Sequence, residues 1–254
     1  MDQSNREIKV FASLEELSLA AAKTFARLAA AAINADGSFF AALSGGSTPR
    51  RTYELLAGSE FQIQLDWSRI HLFQVDERPV PPDHAESNYR MIHAALLEPA
   101  HLPPQNFHRM AAERTDLDNV ATEYEADLRQ TTKTPHSEMP RLHLIMLGMG
   151  PDGHTASLFP GSEALVEVAR AVRPNYVAKF KSNRLTLTYP VLNNAGQVLF
   201  LVAGADKGES LRHVLFPAPQ SPRLPAQAVQ PVHGQLTWYL DQPAASLIKN
   251  ELNH

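Results

Sequence analysis

Apolar runs that end in glycine-containing loops and resume as helices recur along the chain, and this alternation constrains the fold most. Phe39 to Leu43 enters Ser44-Gly45-Gly46-Ser47-Thr48-Pro49, and Leu142 to Leu147 enters Gly148-Met149-Gly150-Pro151-Asp152-Gly153-His154. Val198 to Ala203 enters Gly204-Ala205-Asp206-Lys207-Gly208. Short apolar runs bounded by turn signals read as strands buried on both faces. Strands separated by helices predict an α/β protein with a mostly parallel sheet and helices on both faces.

The remaining elements follow the same logic. Ile8 to Phe11 reads as a short edge strand, and Ser13 with Glu16 as a capping box opening a helix from Leu14 to about Asn34. Further helices are expected over about 49–56, 87–97 (capped by Ser87), 117–130 and 209–215, with strands at Ile70 to Val75 and Leu236 to Leu240. Pro99 to Met110 reads as a surface connection. Val177 to Phe180 and Arg184 to Tyr189 alternate as an added antiparallel pair. With 254 residues the chain is expected to form one domain, 1–254.

Composition excludes several function classes. A formal net charge of −4 and the lack of a Lys/Arg-rich block argue against nucleic acid as a partner. With no cysteine there is no disulfide framework, thiolate nucleophile or Cys-ligated zinc. The polar start, Met1 to Lys9, lacks a secretory pattern, and the Ala-rich stretch 19–33 is broken by Lys23 and Arg27, so neither a leader nor a membrane partner is expected. A cytoplasmic setting fits. The 11 histidines form no His-x-x-x-His or Glu-x-x-His arrangement with a credible third ligand, so no metal site and no cofactor are expected.

Four loops carry candidate chemistry. Gly45 and Gly46 let backbone approach a ligand, and Ser47 and Thr48 add hydroxyls at a helix start, an arrangement suited to phosphate. The competing reading is a tight turn with a capping hydroxyl. Asp76-Glu77-Arg78 places three charges at a strand end, where Arg78 suits a phosphate, its guanidinium held by one of the acids. Lys207 could add a point charge to an anion site, and Arg184 another. Gly148-x-Gly150-x-x-Gly153 matches the dinucleotide fingerprint literally, but Pro160-Gly161 forbids the required helix and no acid follows at the right distance. The loop's chemistry rests instead on Asp152 and His154, two residues apart. Histidine can take and return a proton near neutral pH, with Asp152 steadying it or touching substrate.

These residues together resemble the 6-phosphogluconolactonases, hydrolases of the pentose phosphate pathway. The resemblance spans nearly the whole chain. It is carried by Leu43 to Pro49, by Asp76 to Pro81 with Ser87-Asn88 downstream, and above all by Gly148 to Pro160; Arg184 to Thr188 and Gly204 to Lys207 match more weakly. It implies a Rossmann-like fold shared with glucosamine-6-phosphate deaminases. Those have a similar Asp-Gly-His loop with a glutamate five residues after the histidine, where this chain has Phe159. An apolar ring cannot relay a proton, so lactone hydrolysis is favoured over deamination. A non-catalytic sugar-phosphate sensor is the weakest alternative, since no helix-turn-helix segment accompanies the fold. The resemblance further implies a sugar-phosphate lactone as substrate. Its phosphate would lie against Gly45, Gly46, Ser47, Thr48, Arg78 and Lys207, with Arg184 as helper, Asp76 nearby, and His154 with Asp152 as the metal-free catalytic pair.

Overall fold

The computed structural model describes residues 6–253. The first half runs β1 (Arg6–Phe11), α1 (Leu14–Asp36), β2 (Phe39–Leu43), α2 (Ser47–Leu56) and a single turn, α3 (Ser59–Gln62). Next come β3 (Ile70–Gln74), β4 (Asp76–Glu77), α4 (Asn88–Ile92), β5 (Phe107–His108) and α5 (Leu117–Thr132). The second half holds β6 (Leu144–Leu147), β7 (Val172–Val177), β8 (Ser182–Leu187), α6 (Tyr189–Leu192), β9 (Gln197–Val202), α7 (Gly208–Leu215) and β10 (Gln235–Asp241).

Seven strands form one sheet in the order β1-β10-β9-β6-β2-β3-β5, and every neighbouring pair is parallel. Period-2 alternation then assigns each side chain to a face. Phe39, Ala41, Leu43, Leu144, Met146, Leu199 and Leu201 pack with Leu17, Ala21 and Phe25 of α1 and with Tyr53 and Leu56 of α2. Their chain neighbours Ala42, Ile145, Leu147, Val198, Phe200 and Val202 pack on the opposite face with α5 and α7, through Tyr124, Leu128, Leu211 and Leu215. Both faces are covered, so the strands must be apolar throughout, as expected. No helix among the described residues is long and apolar enough to cross a membrane.

The start of α1 departs slightly from the expected capping box. The Ser13 hydroxyl accepts from the Glu16 N–H at 3.2 Å, but the Glu16 carboxylate accepts from the Ala12 N–H at 3.1 Å, one residue further out. Ser87 caps α4, accepting from the Arg90 N–H. That helix continues as one wider π-turn over His93–Leu97, so the expected helix to Leu97 is present with a changed pitch.

Two expectations are corrected. The antiparallel pair belongs to a second, three-stranded sheet ordered β4-β8-β7, and its strands lie at Val172–Val177 and Ser182–Leu187. Ala178–Phe180 is a 3₁₀ turn rather than a strand. Pro174 masks the true strand in the sequence, yet β7 is an edge strand, where a missing N–H is tolerated. The segment 99–110 is likewise more than a surface connection. Phe107–His108 adds a parallel edge strand beside β3, and Asn106 and Met110 are buried.

Trp238 of β10 stacks on Phe200 of β9 with ring centroids 3.9 Å apart and planes within 2°, and it is 1% exposed. Truncating such a ring removes transfer energy and leaves a cavity. Trp238→Ala is expected to lower the unfolding free energy in urea by about 3–5 kcal/mol. A loss below about 1 kcal/mol would show that this ring pair is not part of the cooperative core.

Candidate active site

Parallel strands all end at one edge of the sheet, so the loops that follow them leave there. From β2 the chain steps outward to β3 and β5, and from β6 it steps the other way to β9 and β10. The crevice between β2 and β6 is therefore a topological switch point, where open α/β sheets bind ligands. A cavity of about 240 Å³ opens there. It is lined by Gly45, Gly46, Ser47 and Thr48 after β2, Asp76 and Arg78 after β3, His154 after β6, and Lys207 after β9. Arg184 of β8 completes the wall. A wider groove of about 930 Å³ lies at the other ends of the strands, around Phe40, His71 and His143, and receives none of these loops.

The Ser44–Gly46 loop is held from below. Ser44 Oγ donates to the Met146 carbonyl at 2.8 Å, and Tyr53 OH donates to the Ser44 carbonyl at 2.8 Å. Gly46, at φ +107°, is the N-cap of α2, and no side chain caps that helix. Ser47 and Thr48 therefore sit inside the first turn, two residues earlier than the expected start near Pro49. The capping-hydroxyl reading does not hold. The first-turn N–H groups instead face the cavity end, the arrangement that attracts anions. Gly45 has a separate reason to be glycine: a Cβ there would lie 1.8 Å from Asn88 Oδ1.

Asp76 and Glu77 have different environments. Glu77 is 1% exposed and receives five hydrogen bonds, from Gln74 Nε2, Ser87 Oγ and the N–H groups of Arg78, Asn88 and Tyr89. Its carboxylate ties the strand end to the start of α4. Asp76 accepts from Ser157 Oγ at 2.6 Å and from Asn88 Nδ2 at 3.3 Å while lining the cavity. The expectation that an acid holds the Arg78 guanidinium is corrected. Arg78 Nη1 donates to the Glu86 carbonyl, and Glu77 holds only the Arg78 backbone. Glu77 is already saturated by neutral donors, so it has no lone pair left to attract the guanidinium.

The histidine loop brings its two key residues into contact. His154 Nδ1 is hydrogen-bonded to Asp152 Oδ1, and the same oxygen accepts from the His154 N–H at 3.3 Å. Gly153 at φ +72° makes the turn between them. Phe159 stacks on the imidazole at 4.0 Å between centroids. Gly150 leaves room for the ring, since a Cβ there would lie 2.0 Å from imidazole atoms. Burial lowers the His154 pKa from its ordinary value, outweighing the opposing pull of Asp152. Burial also acts on Asp152, upward, but bonds from His154 and Lys179 win and hold its carboxyl at about 2. The pair is thus a neutral imidazole on an ionised carboxylate near neutral pH.

The basic residues are arranged unequally. Arg184 lies over the Phe180 and Phe159 rings at 4.7 Å and 5.6 Å, and burial lowers its pKa from a very high ordinary value. Lys207 lines the cavity with its ammonium 2.8 Å from Asp206. Asp152 lies just outside the cavity lining, behind His154. Two contributors had no usable sequence signal: Lys179, 3.1 Å from Asp152 Oδ2, and Phe180 beneath Arg184. Asn88 appeared only as part of a motif string. Among the described residues, no group of three or more His, Asp or Glu side chains is placed to hold a metal ion.

Comparison with known proteins agrees with this architecture. Residues 12–238 match the family described as glucosamine-6-phosphate isomerases/6-phosphogluconolactonase, and the chain belongs to that family. A 6-phosphogluconolactonase of Nostoc sp. is 40% identical over 215 residues, covering 85% of this chain and 87% of the relative. One of Synechocystis sp. is 40% identical over 208 residues, covering 82% and 84%. The solved 6-phosphogluconolactonase of Trypanosoma cruzi superposes with a TM-score of 0.85 at 30% identity, covering 96% of this chain and 97% of that one.

Gly150 supplies a direct check on the His–Asp geometry. In a crystal structure of Gly150→Ala, the imidazole is expected to be displaced from Asp152, because a 2.0 Å contact cannot be absorbed by small shifts. An unmoved pair would show that the loop backbone relaxes instead.

Proposed function

We propose that the chain hydrolyses 6-phospho-D-glucono-1,5-lactone to 6-phospho-D-gluconate, with His154 as the base that activates water. One observation carries the choice of base. His154 has Nδ1 committed to Asp152 and one ring face covered by Phe159, while it lines the cavity beside the glycine loop. Its Nε2 edge is the part left for proton transfer. The named relatives at 40% identity support the lactonase assignment.

The phosphate lies against the Gly45-Gly46-Ser47-Thr48 loop and Arg78. Lys207 joins by leaving Asp206, whose carboxylate is exposed and can be resolvated by water when the pair separates. Arg184 adds positive charge from a desolvated position on its aromatic support. Asp76, an anion, would repel phosphate and so is assigned to sugar hydroxyls, which it can accept from. Nε2 takes a proton from water as the oxygen attacks C1, forming a tetrahedral oxyanion. Backbone N–H groups of the glycine loops stabilise that charge. Collapse breaks the bond from C1 to the ring oxygen, which receives the proton back from Nε2. Asp152 keeps the ring oriented and stabilises the transient imidazolium. Phe159, five residues after His154, stacks on the imidazole, and a phenyl ring moves no proton.

Three measurements test this reading on lactone generated from glucose 6-phosphate, with uncatalysed hydrolysis subtracted. His154→Ala is expected to lower kcat by about 10²–10⁴-fold, and an undiminished rate would remove His154 as the base. Arg78→Ala is expected chiefly to raise KM, and an unchanged KM would take it out of the phosphate site. A general base works unprotonated, so kcat/KM falls as pH drops through the His154 pKa. That acid limb is expected below the ordinary histidine value of about 6.5, and lower still in Asp152→Asn, which removes a group that raises the pKa. A limb that moves upward in this variant would contradict the assigned pair.

A further inference from the structure

The turn joining β7 to β8 approaches the site from outside the main sheet. Its 3₁₀ segment Ala178–Phe180 closes with Lys181 at φ +49°, and it delivers two neighbouring side chains to different halves of the site. Phe180 packs beneath the Arg184 guanidinium at 4.7 Å and edge-on to Phe159 at 5.7 Å. Lys179 Nζ lies 3.1 Å from Asp152 Oδ2, while Asp152 Oδ1 serves His154. The ammonium is also 5.6 Å from the centre of the Phe180 ring, so two contacts fix a side chain that is otherwise half-exposed.

We infer that Lys179 is a positioning residue for the His154–Asp152 pair, balancing the outer oxygen of Asp152 so that this carboxylate orients the imidazole without trapping it as imidazolium. The inference rests on the reading of His154 as the base for lactone hydrolysis. A carboxylate with no other partner both orients a histidine and raises its proton affinity. A base must give its proton back within each turnover, so the second effect has to be limited. A cation on the far oxygen does that. The other charged groups around His154 are Asp76, which favours the imidazolium, and Arg184, which opposes it, with Arg78 and Lys207 further along the cavity wall. Lys179 differs from these in acting through Asp152 and not across the space that substrate enters. Exposed ion pairs add little to stability, so its effect is expected in protonation and turnover and not in folding.

The experiment is a pH titration of the His154 ring signals by NMR in the intact chain without substrate, the signals being assigned by their loss in His154→Asn. It compares the parent with Lys179→Ala, Lys179→Met and Lys179→Arg, alongside lactone kinetics and thermal unfolding. The His154 midpoint is expected to rise by about half a unit in the Ala and Met variants and to return in the Arg variant. The kcat should fall by about 2–3-fold in Ala and Met, the most that half a pKa unit supplies, with KM within about twofold, and the unfolding midpoint should not move. An unchanged His154 titration overturns the inference. A raised KM with kcat and titration unchanged also overturns it, by making Lys179 a substrate contact. A titration that shifts in a chain that hydrolyses no lactone keeps the positioning role and sinks the lactonase reading, so the two failures can be told apart.

Discussion

The parallel direction of the main sheet is the constraint on which the rest depends. Each strand must be followed by a return across a face, and each face must be covered by helices to exclude water from it. Every strand-to-helix loop therefore leaves by the same edge. Four adjacent strands, β9, β6, β2 and β3, bring Lys207, His154, the Gly45–Thr48 loop and Asp76 to one crevice, although these residues are up to 162 positions apart in the chain. Sheet direction gathers them, at the point where the strand order reverses, and side-chain bonds such as Ser157 Oγ to Asp76 then fasten one loop to the next.

Within that crevice, two missing side chains and one buried charge set the detail. Gly45 and Gly150 are fixed by what occupies the space where a Cβ would be, Asn88 in one case and the His154–Asp152 pair in the other. Glu77 is an acid whose work is structural. A buried carboxylate without a cation is costly unless donors surround it, and five do. By holding both the strand end and the start of α4, it places Asn88 against Gly45 and leaves Asp76 beside the cavity. The adjacent acids have thus separated roles: the saturated one builds, and the one that still lines the cavity can meet a ligand.

Elements marked by one local signal are legible in the sequence, and those that depend on a partner are not. Apolar runs ending in glycine loops located β2, β6 and β9, because burial on both faces leaves a continuous pattern. β5 is two residues long and carries no pattern at all, and Pro174 disguised β7 because its tolerance depends on being at a sheet edge. The guanidinium of Arg78 was assigned an acidic partner from proximity in sequence, yet its partner is the Glu86 carbonyl. Lys179 reads in the sequence as an ordinary lysine inside the strand expected at Val177 to Phe180. Its contact with Asp152 bridges 27 positions and exists only because the second sheet folds its turn back over the histidine loop.

By itself, the sequence determined the alternating α/β architecture, the glycine loops that end its strands, and a histidine set two residues from an acid in one of them. These are local properties: periodicity, backbone permissiveness and the chemistry of single side chains are carried by contiguous residues. Tertiary structure alone decided which loops share a cavity, which acid is saturated, and which oxygen of Asp152 faces which partner. Those outcomes depend on distances between residues far apart in the chain. The Gly148 to Pro160 segment shows the division most clearly. Its sequence specifies a histidine, an acid and a turn, but the stacking ring pose, the ammonium on the far oxygen and the space made by Gly150 arise only when the sheet, the hairpin turn and the loop are packed together.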